Sequence, residues 1–271
     1  MSTTAVDWYQ ATISESSEVV RERLSREFTG TWEPSSPRWG YETGAVLLGP
    51  YGRVCEVLEG GRHGKPHVIS SSSLANEFYQ VIRDAWPEHN VSRMDVRVDV
   101  DSGPGTWERL LQANVEVMEA HGVKHYEAGD WVRGTAGRTI YLGATSSRAR
   151  TRSYEKGKER EAAGVMPAPS PTWCRLEMQL RPQGQVKGVL AHLEPSAAWG
   201  TSPWAADLLQ RVTGELVERV ELLQLVDTPL TQSFRNCVRQ YGPVLKRYAE
   251  ANGGWAFLGH QVMDELERQG R

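Results

Sequence analysis

The sequence predicts an α+β protein: an antiparallel sheet flanked by helices, followed by a helical C-terminal region. Three observations carry this expectation. Several segments alternate apolar and polar residues with the period of a strand, they are interleaved with segments of helical period, and from about residue 183 the pattern turns helical throughout. A chain of 271 residues can hold one large domain with an appendage. We draw the boundary at 195, with an α+β domain over 1–195 and a helical region over 196–271.

Each element has its own signal. "VDWYQATI" (6–13) alternates as a strand, and "SESSEVVRERLSREF" (14–28) opens on serine with Val19, Val20 and Leu24 at helical spacing. Residues 29–44 read as loop, 45–61 as a hairpin turning at Gly49–Gly52, and "KPHVISS" (65–71) as a further strand. Helices are expected at 73–87, ended by Pro87, and at 106–121, stopped by Gly122. Between them "RMDVRVDVD" (93–101) is a strand. Three more strands follow: "RTIYLGA" (138–144), "ARTRSYEKG" (149–157) and "TWCRLEMQLR" (172–181). The last two are joined by a Pro-rich loop, and helices are then expected at 202–225, 231–253 and 255–270.

Composition excludes more than it assigns. The net charge of −3 gives no global sign of nucleic acid, although a locally basic face would not show in that total. Cys55, Cys174 and Cys237 form no CxxC pair; with no export signal in the first residues, this reads as reduced thiols and a cytoplasmic setting. No apolar run approaches the ~20 residues of a membrane helix. "GGRHGKP" (60–66) lacks phosphate-loop spacing, and neither a His-x-His pair nor Gly-x-Ser-x-Gly occurs.

The informative feature is what the strands carry on one face. Side chains alternate along a strand, so Asp95 and Asp99 lie opposite Met94, Val96 and Val98. Glu177 likewise lies opposite Leu176 and Met178, and Arg148, Arg150, Arg152, Tyr154, Lys156 and Lys158 share one parity. In one sheet these polar faces coincide. Carboxylates from neighbouring strands, ~4.8 Å apart, could then share a hard divalent cation. The same alternation also fits a solvated sheet face laced with ion pairs.

"RMDVRVD", "TIYLGATSSRARTRSYEKGKE" and "WCRLEMQLR" occur in that order, and together they resemble the signatures of the replication initiation factor family, the transposase-like Rep proteins. "VDW" and "RQYGPVL" (239–245) are also similar. The resemblance implies an HUH-endonuclease-like fold and a metal-dependent (Mg or Mn) single-strand DNA endonuclease and ligase that initiates rolling-circle replication. It implies Tyr154 as nucleophile, through a 5′-phosphotyrosine, with Lys156 beside it. Asp95, Asp99 and Glu177 become the metal-ligand candidates, and Arg148, Arg150, Arg152 and Lys158 the DNA-binding ones. Origin DNA, single-stranded or hairpin, would be the partner, with a host helicase and a second copy of the chain as further partners. A mobilisation relaxase and a non-cleaving origin-binding protein remain the alternatives. Two positions depart from the family pattern: Ser153 replaces an aliphatic residue and Gln179 a second glutamate.

Overall fold

The computed structural model describes residues 4–221 and 229–268. Its strands are β1 (Ala5–Thr12), β2 (Thr31–Pro34), β3 (Thr43–Gly49), β4 (Gly52–Glu59), β5 (His67–Ser71), β6 (Asn90–Val100), β7 (His125–Gly129), β8 (Arg138–Leu142), β9 (Ala149–Tyr154) and β10 (Cys174–Leu180). They form one sheet in the order β2-β3-β4-β5-β1-β6-β10-β9-β8-β7, and every pairing is antiparallel. The expected α+β class is therefore what the chain adopts.

The alternation that marked the strands also builds the core. Tyr9, Ala11, Met94, Val96, Val98, Leu176 and Met178 point to one side of the sheet and are buried. Helices α1 (Ser17–Glu27), α2 (Ala75–Ala85) and α3 (Thr106–His121) lay Val20, Leu24, Phe78, Ile82, Leu110 and Val117 into the same cluster. Burial of such side chains contributes about 1.5–3 kcal/mol each. Helix α1 starts where the sequence places its cap: the Ser16 hydroxyl accepts from the Val19 amide. Gly122, at φ 62°, ends α3 in the left-handed conformation that only glycine adopts cheaply.

Several expectations change. The strand expected over 149–157 ends at Tyr154, and α4 (Lys156–Ala162) begins two residues later. Lys156 and Lys158 therefore leave the strand, and their shared parity with Arg150 and Arg152 no longer applies. Strand β7 was not expected; its exposed edge position demands no apolar alternation. Short β2 likewise falls within the expected loop. After a one-turn-and-a-half α5 (Val186–Ala191), α6 covers Pro203–Thr213 only. Gly214 closes α6 at φ 78°, with its amide on the Gln210 carbonyl 2.7 Å away. The rest of the helix expected to 225 is not continued through 221, and 222–225 lie outside the described residues.

Helix α6 packs on α3, within a compact unit spanning 1–223. The second unit, 224–271, pairs α7 (Pro229–Ala251) with α8 (Trp255–Arg268). Among the described residues, no helix is long and apolar enough to cross a membrane. Cys55 and Cys174 are buried free thiols, both pushed up to about 12 by burial, and Cys237 is exposed.

His67, on β5, provides a check on the fold. Burial, then the cations Lys187 and Arg38, lower its pKa to about 4. The folded value lies below the ordinary ~6.5, so the unfolded chain binds more protons between those values. Stability is thus fully present above about pH 6.5 and is lost as pH falls toward 4, by an amount on the order of 3 kcal/mol. Urea unfolding across this range should show the loss, and His67→Gln should flatten it.

Candidate active site

The face of the sheet opposite the core carries the candidate residues. Register fixes their rows. Arg175 stands opposite Tyr154 on one side and Asp99 on the other. Glu177 stands between Arg152 and Arg97, and Gln179 between Arg150 and Asp95. Tyr141, on β8, faces Arg152.

Tyr154 is the last residue of β9, and its side chain is buried, at 3% exposure. Its hydroxyl donates to Glu177 Oε1 at 2.6 Å. The Arg152 guanidinium lies over its ring at 3.9 Å, and the Lys156 ammonium at 5.3 Å. Nearby cations favour phenolate in general, but in this arrangement they do not prevail. Burial first, and then the Glu177 carboxylate, raise the Tyr154 pKa well above its ordinary value, with Arg152 opposing. The phenol is protonated and oriented. Glu177 is itself raised, chiefly by burial.

On the other face of β9, Ser153 points into the core and is fully buried. Its hydroxyl exchanges hydrogen bonds with the side chain of Asn114 on α3, at 2.9 and 3.2 Å. The polar residue at this position is thus satisfied and ties β9 to α3. Gly157, two residues past Glu155, has its own constraint: a Cβ there would sit 1.9 Å from the Ser170 carbonyl oxygen. Only glycine lets α4 lie against that loop, with the Gly157 amide on the Trp173 carbonyl at 2.8 Å.

The carboxylates are not gathered around one point. Asp95 and Asp99 lie four residues apart on one strand, or about 13 Å along it. Asp95 accepts from Arg93 Nε at 2.9 Å and from Gln179 at 3.3 Å. Burial raises its pKa, against the pull of Arg93. Asp99 accepts from Arg175 Nε at 2.7 Å, from the Trp173 indole at 2.9 Å and from Arg97. Glu177 pairs with Arg152 at 3.3 Å. Among the described residues, no three His, Cys, Asp or Glu side chains form a group able to hold a metal ion. The set Asp95, Asp99 and Glu177 expected from the sequence therefore does not converge, because each carboxylate already faces an arginine.

Asp7 joins the site without having been singled out, although "VDW" was noted. It lies at a β1 bulge opposite β6. Arg175 Nη1 reaches it at 3.0 Å and Arg97 Nε at 3.1 Å. Arg175 thus bridges Asp7 and Asp99. Burial works against its charge, and Asp99 with the other carboxylates more than offsets that. The strand carrying Asp7 is five positions from the sheet's edge, and sequence periodicity cannot reveal which strands become neighbours.

Beside Glu177 the face opens into a cleft of about 220 Å³. Arg93, Arg150, Arg152 and Arg181 line it with Asp95 and Glu177, giving a net positive wall suited to phosphate. Arg150 stacks over Tyr141 at 3.9 Å. Arg148 lies just before β9 in an exposed bend. Lys158 turns away to Glu155, at 2.8 Å, and to the Gly134 carbonyl, at 2.6 Å. Lys156 pairs with Glu159 at 2.6 Å.

Residues 89–211, which hold all three motif-bearing strands, match the family model described as replication initiation factor. Among solved structures, the chain is similar to a rolling-circle replication initiator protein from Geobacillus stearothermophilus, with a TM-score of 0.55 and 20% identity over 81% of this chain and 100% of that one. The two share a fold. No curated protein matches the chain.

Arg175 offers a direct test of how this face is held. Arg175→Met leaves Asp7 and Asp99 with Arg97 alone between them. Hydrogen bonds to charged groups contribute about 1.5–3 kcal/mol, so urea unfolding should register a loss of that order. Adding Asp99→Asn should restore part of it.

Proposed function

We propose that this protein initiates rolling-circle replication by nicking one strand of origin DNA and later rejoining it, with Tyr154 as nucleophile. The observation that carries the reading is the 2.6 Å hydrogen bond from the Tyr154 hydroxyl to Glu177, set beside an arginine-lined cleft. The family match over 89–211 and the shared fold support it.

In this reading a backbone phosphate enters the cleft against Arg150 and Arg152. Tyr154 Oη forms a bond to phosphorus and its proton passes to Glu177 Oε1. The bond from phosphorus to the 3′ oxygen breaks, and that oxygen leaves and is protonated. The product is a 5′-phosphotyrosine and a free 3′-hydroxyl; the reverse steps rejoin the strand. Removing the phenol proton as the bond forms is the task that a raised tyrosine pKa creates, and Glu177 is the base within reach. Arg152 and Lys156 meet the charge that develops. A divalent ion, Mg or Mn, remains part of the expectation and supplies polarisation of the phosphate when bound. The carboxylates as arranged do not fit a three-ligand site, and no step here is routed through one.

The burial of Tyr154 favours a second reading, origin binding without cleavage. One assay separates the two. The protein is incubated with Mn²⁺ and a labelled pool of random single-stranded 40-mers, and denaturant-resistant adducts are counted. The nicking reading expects adducts from the wild type and none from Tyr154→Phe. It also expects a rate about 10²–10⁴-fold lower for Glu177→Gln. Wild type that binds DNA and never forms an adduct leaves the binding reading alone.

The same assay addresses the ion: adducts that persist in EDTA follow from the carboxylates as arranged, and a requirement for Mn²⁺ would mean that they leave their arginines to bind it. The cations give a further expectation. Arg150→Ala should flatten the slope of log K against log salt by about 0.7 for single strands.

A further inference from the structure

The polar face extends beyond the candidate active site, and its far end carries an exposed aromatic group that nicking does not use. Loop 35–42, between β2 and β3, folds over this same side. The Ser35 hydroxyl bonds Glu56 at 2.6 Å, Arg38 bonds it at 3.0 Å, and Tyr41 stacks on His67 with ring centres 5.5 Å apart. Register places these anchors. Glu56 stands opposite Ile69, Ile69 opposite Gln10, and Gln10 opposite Arg93, which lines the cleft. One row of side chains therefore runs from the cleft to the loop.

At its end stands Trp39, 61% exposed, with the Arg38 guanidinium over its ring at 4.7 Å. Its backbone is held at φ 56°, a conformation rare for a bulky L residue, and the ring meets His67 edge-on at 6.1 Å between centres while most of its surface stays exposed. The turn 60–65 lies alongside, since a Cβ on Gly61 would meet the Tyr41 ring at 2.5 Å. Arg38, Arg53, Arg62 and Lys65 outnumber Glu42 and Glu56 here. Between loop and cleft, Arg93 lies over the Trp8 ring at 4.4 Å. The Trp8 indole and the amide of Gln10, itself only 7% exposed, carry buried donors with no partner. Arginine alternating with aromatic rings, with spare donors between, suits a phosphate backbone whose bases are unstacked.

We propose that Trp39 and the Trp8–Arg93 stack form a base-stacking subsite for a single DNA strand that leads from Tyr154 past the cleft to loop 35–42. The proposal rests on the DNA-binding part of the reading above and names where the flanking strand goes. Tyr154 and His67 lie four strand spacings apart across the sheet, about 19 Å, and their rows meet β6 at Asp99 and Asn90, about 30 Å apart along the strand. The two offsets combine to about 35 Å, which about ten nucleotides at ~3.4 Å each span.

The test uses the full chain and fluorescein-labelled dT20, with affinity read by anisotropy and the adduct assay run on the same variants. Trp39→Ala should weaken dT20 binding about ten- to hundredfold, while Trp39→Phe, which keeps a stacking ring, should retain most of it. Unchanged dT20 affinity in Trp39→Ala overturns the proposal, as does wild type that fails to bind dT20. So does a change in sedimentation without a change in DNA affinity, which would make the patch a contact with a second copy or another protein. Wild type that binds dT20 through Trp39 but forms no adduct supports the subsite and removes the nicking chemistry, so the two failures are distinct.

Discussion

The polar face depends most on one guanidinium, with Arg97 beside it pairing the same two acids. Arg175 reaches Asp7 on β1 and Asp99 on β6 from β10, and stands directly opposite Tyr154 on β9. Its side chain thereby ties three strands far apart in sequence together at one point. Carboxylates this close repel one another in a medium of low effective dielectric unless a cation stands among them. The arginine both permits the cluster and fixes which way each acid points. Glu177, at the edge of that group, is left with an oxygen free to receive the tyrosine hydroxyl.

The electrostatics around Tyr154 show why counting charges along a strand misleads. Six cations crowd the segment from Arg148 to Arg160, yet the phenol is harder to ionise than in water. Burial acts on the group itself, and the nearest formal charge is the carboxylate it bonds. The cations are committed elsewhere: Lys158 to Glu155, Lys156 to Glu159, Arg152 to Glu177. Of these, Arg152 also lines the cleft beside Glu177, with Arg93, Arg150 and Arg181.

Much of the fold was legible because strands in half-buried antiparallel sheets keep strict alternation. The faces of β6 and β10 were readable residue by residue, as was the turn at Gly122. What was not legible has physical reasons. The exposed edge strand β7 needs no apolar face. Helix α4 is too short for a period, and its Gly157 is required by a loop thirteen residues away. Of the site, Tyr154 and Glu177 come together as the motif order suggested. Asp7 and Asn114 were missed because neither has local patterning; each matters through a partner on a distant element. The convergence of Asp95 with Asp99 was over-read, since parity says which way side chains point and not how far apart they are.

The one-sided packing of this sheet has an evolutionary corollary. Helices α1, α2 and α3 bury their apolar residues against a single face. The determinants of folding and the determinants of ligand contact therefore occupy alternate positions of the same strands. A lineage can exchange residues on β1, β6 or β9 at every second position without disturbing the packed side. Substitutions that the interior tolerates should therefore fall in stripes along the strands rather than in blocks.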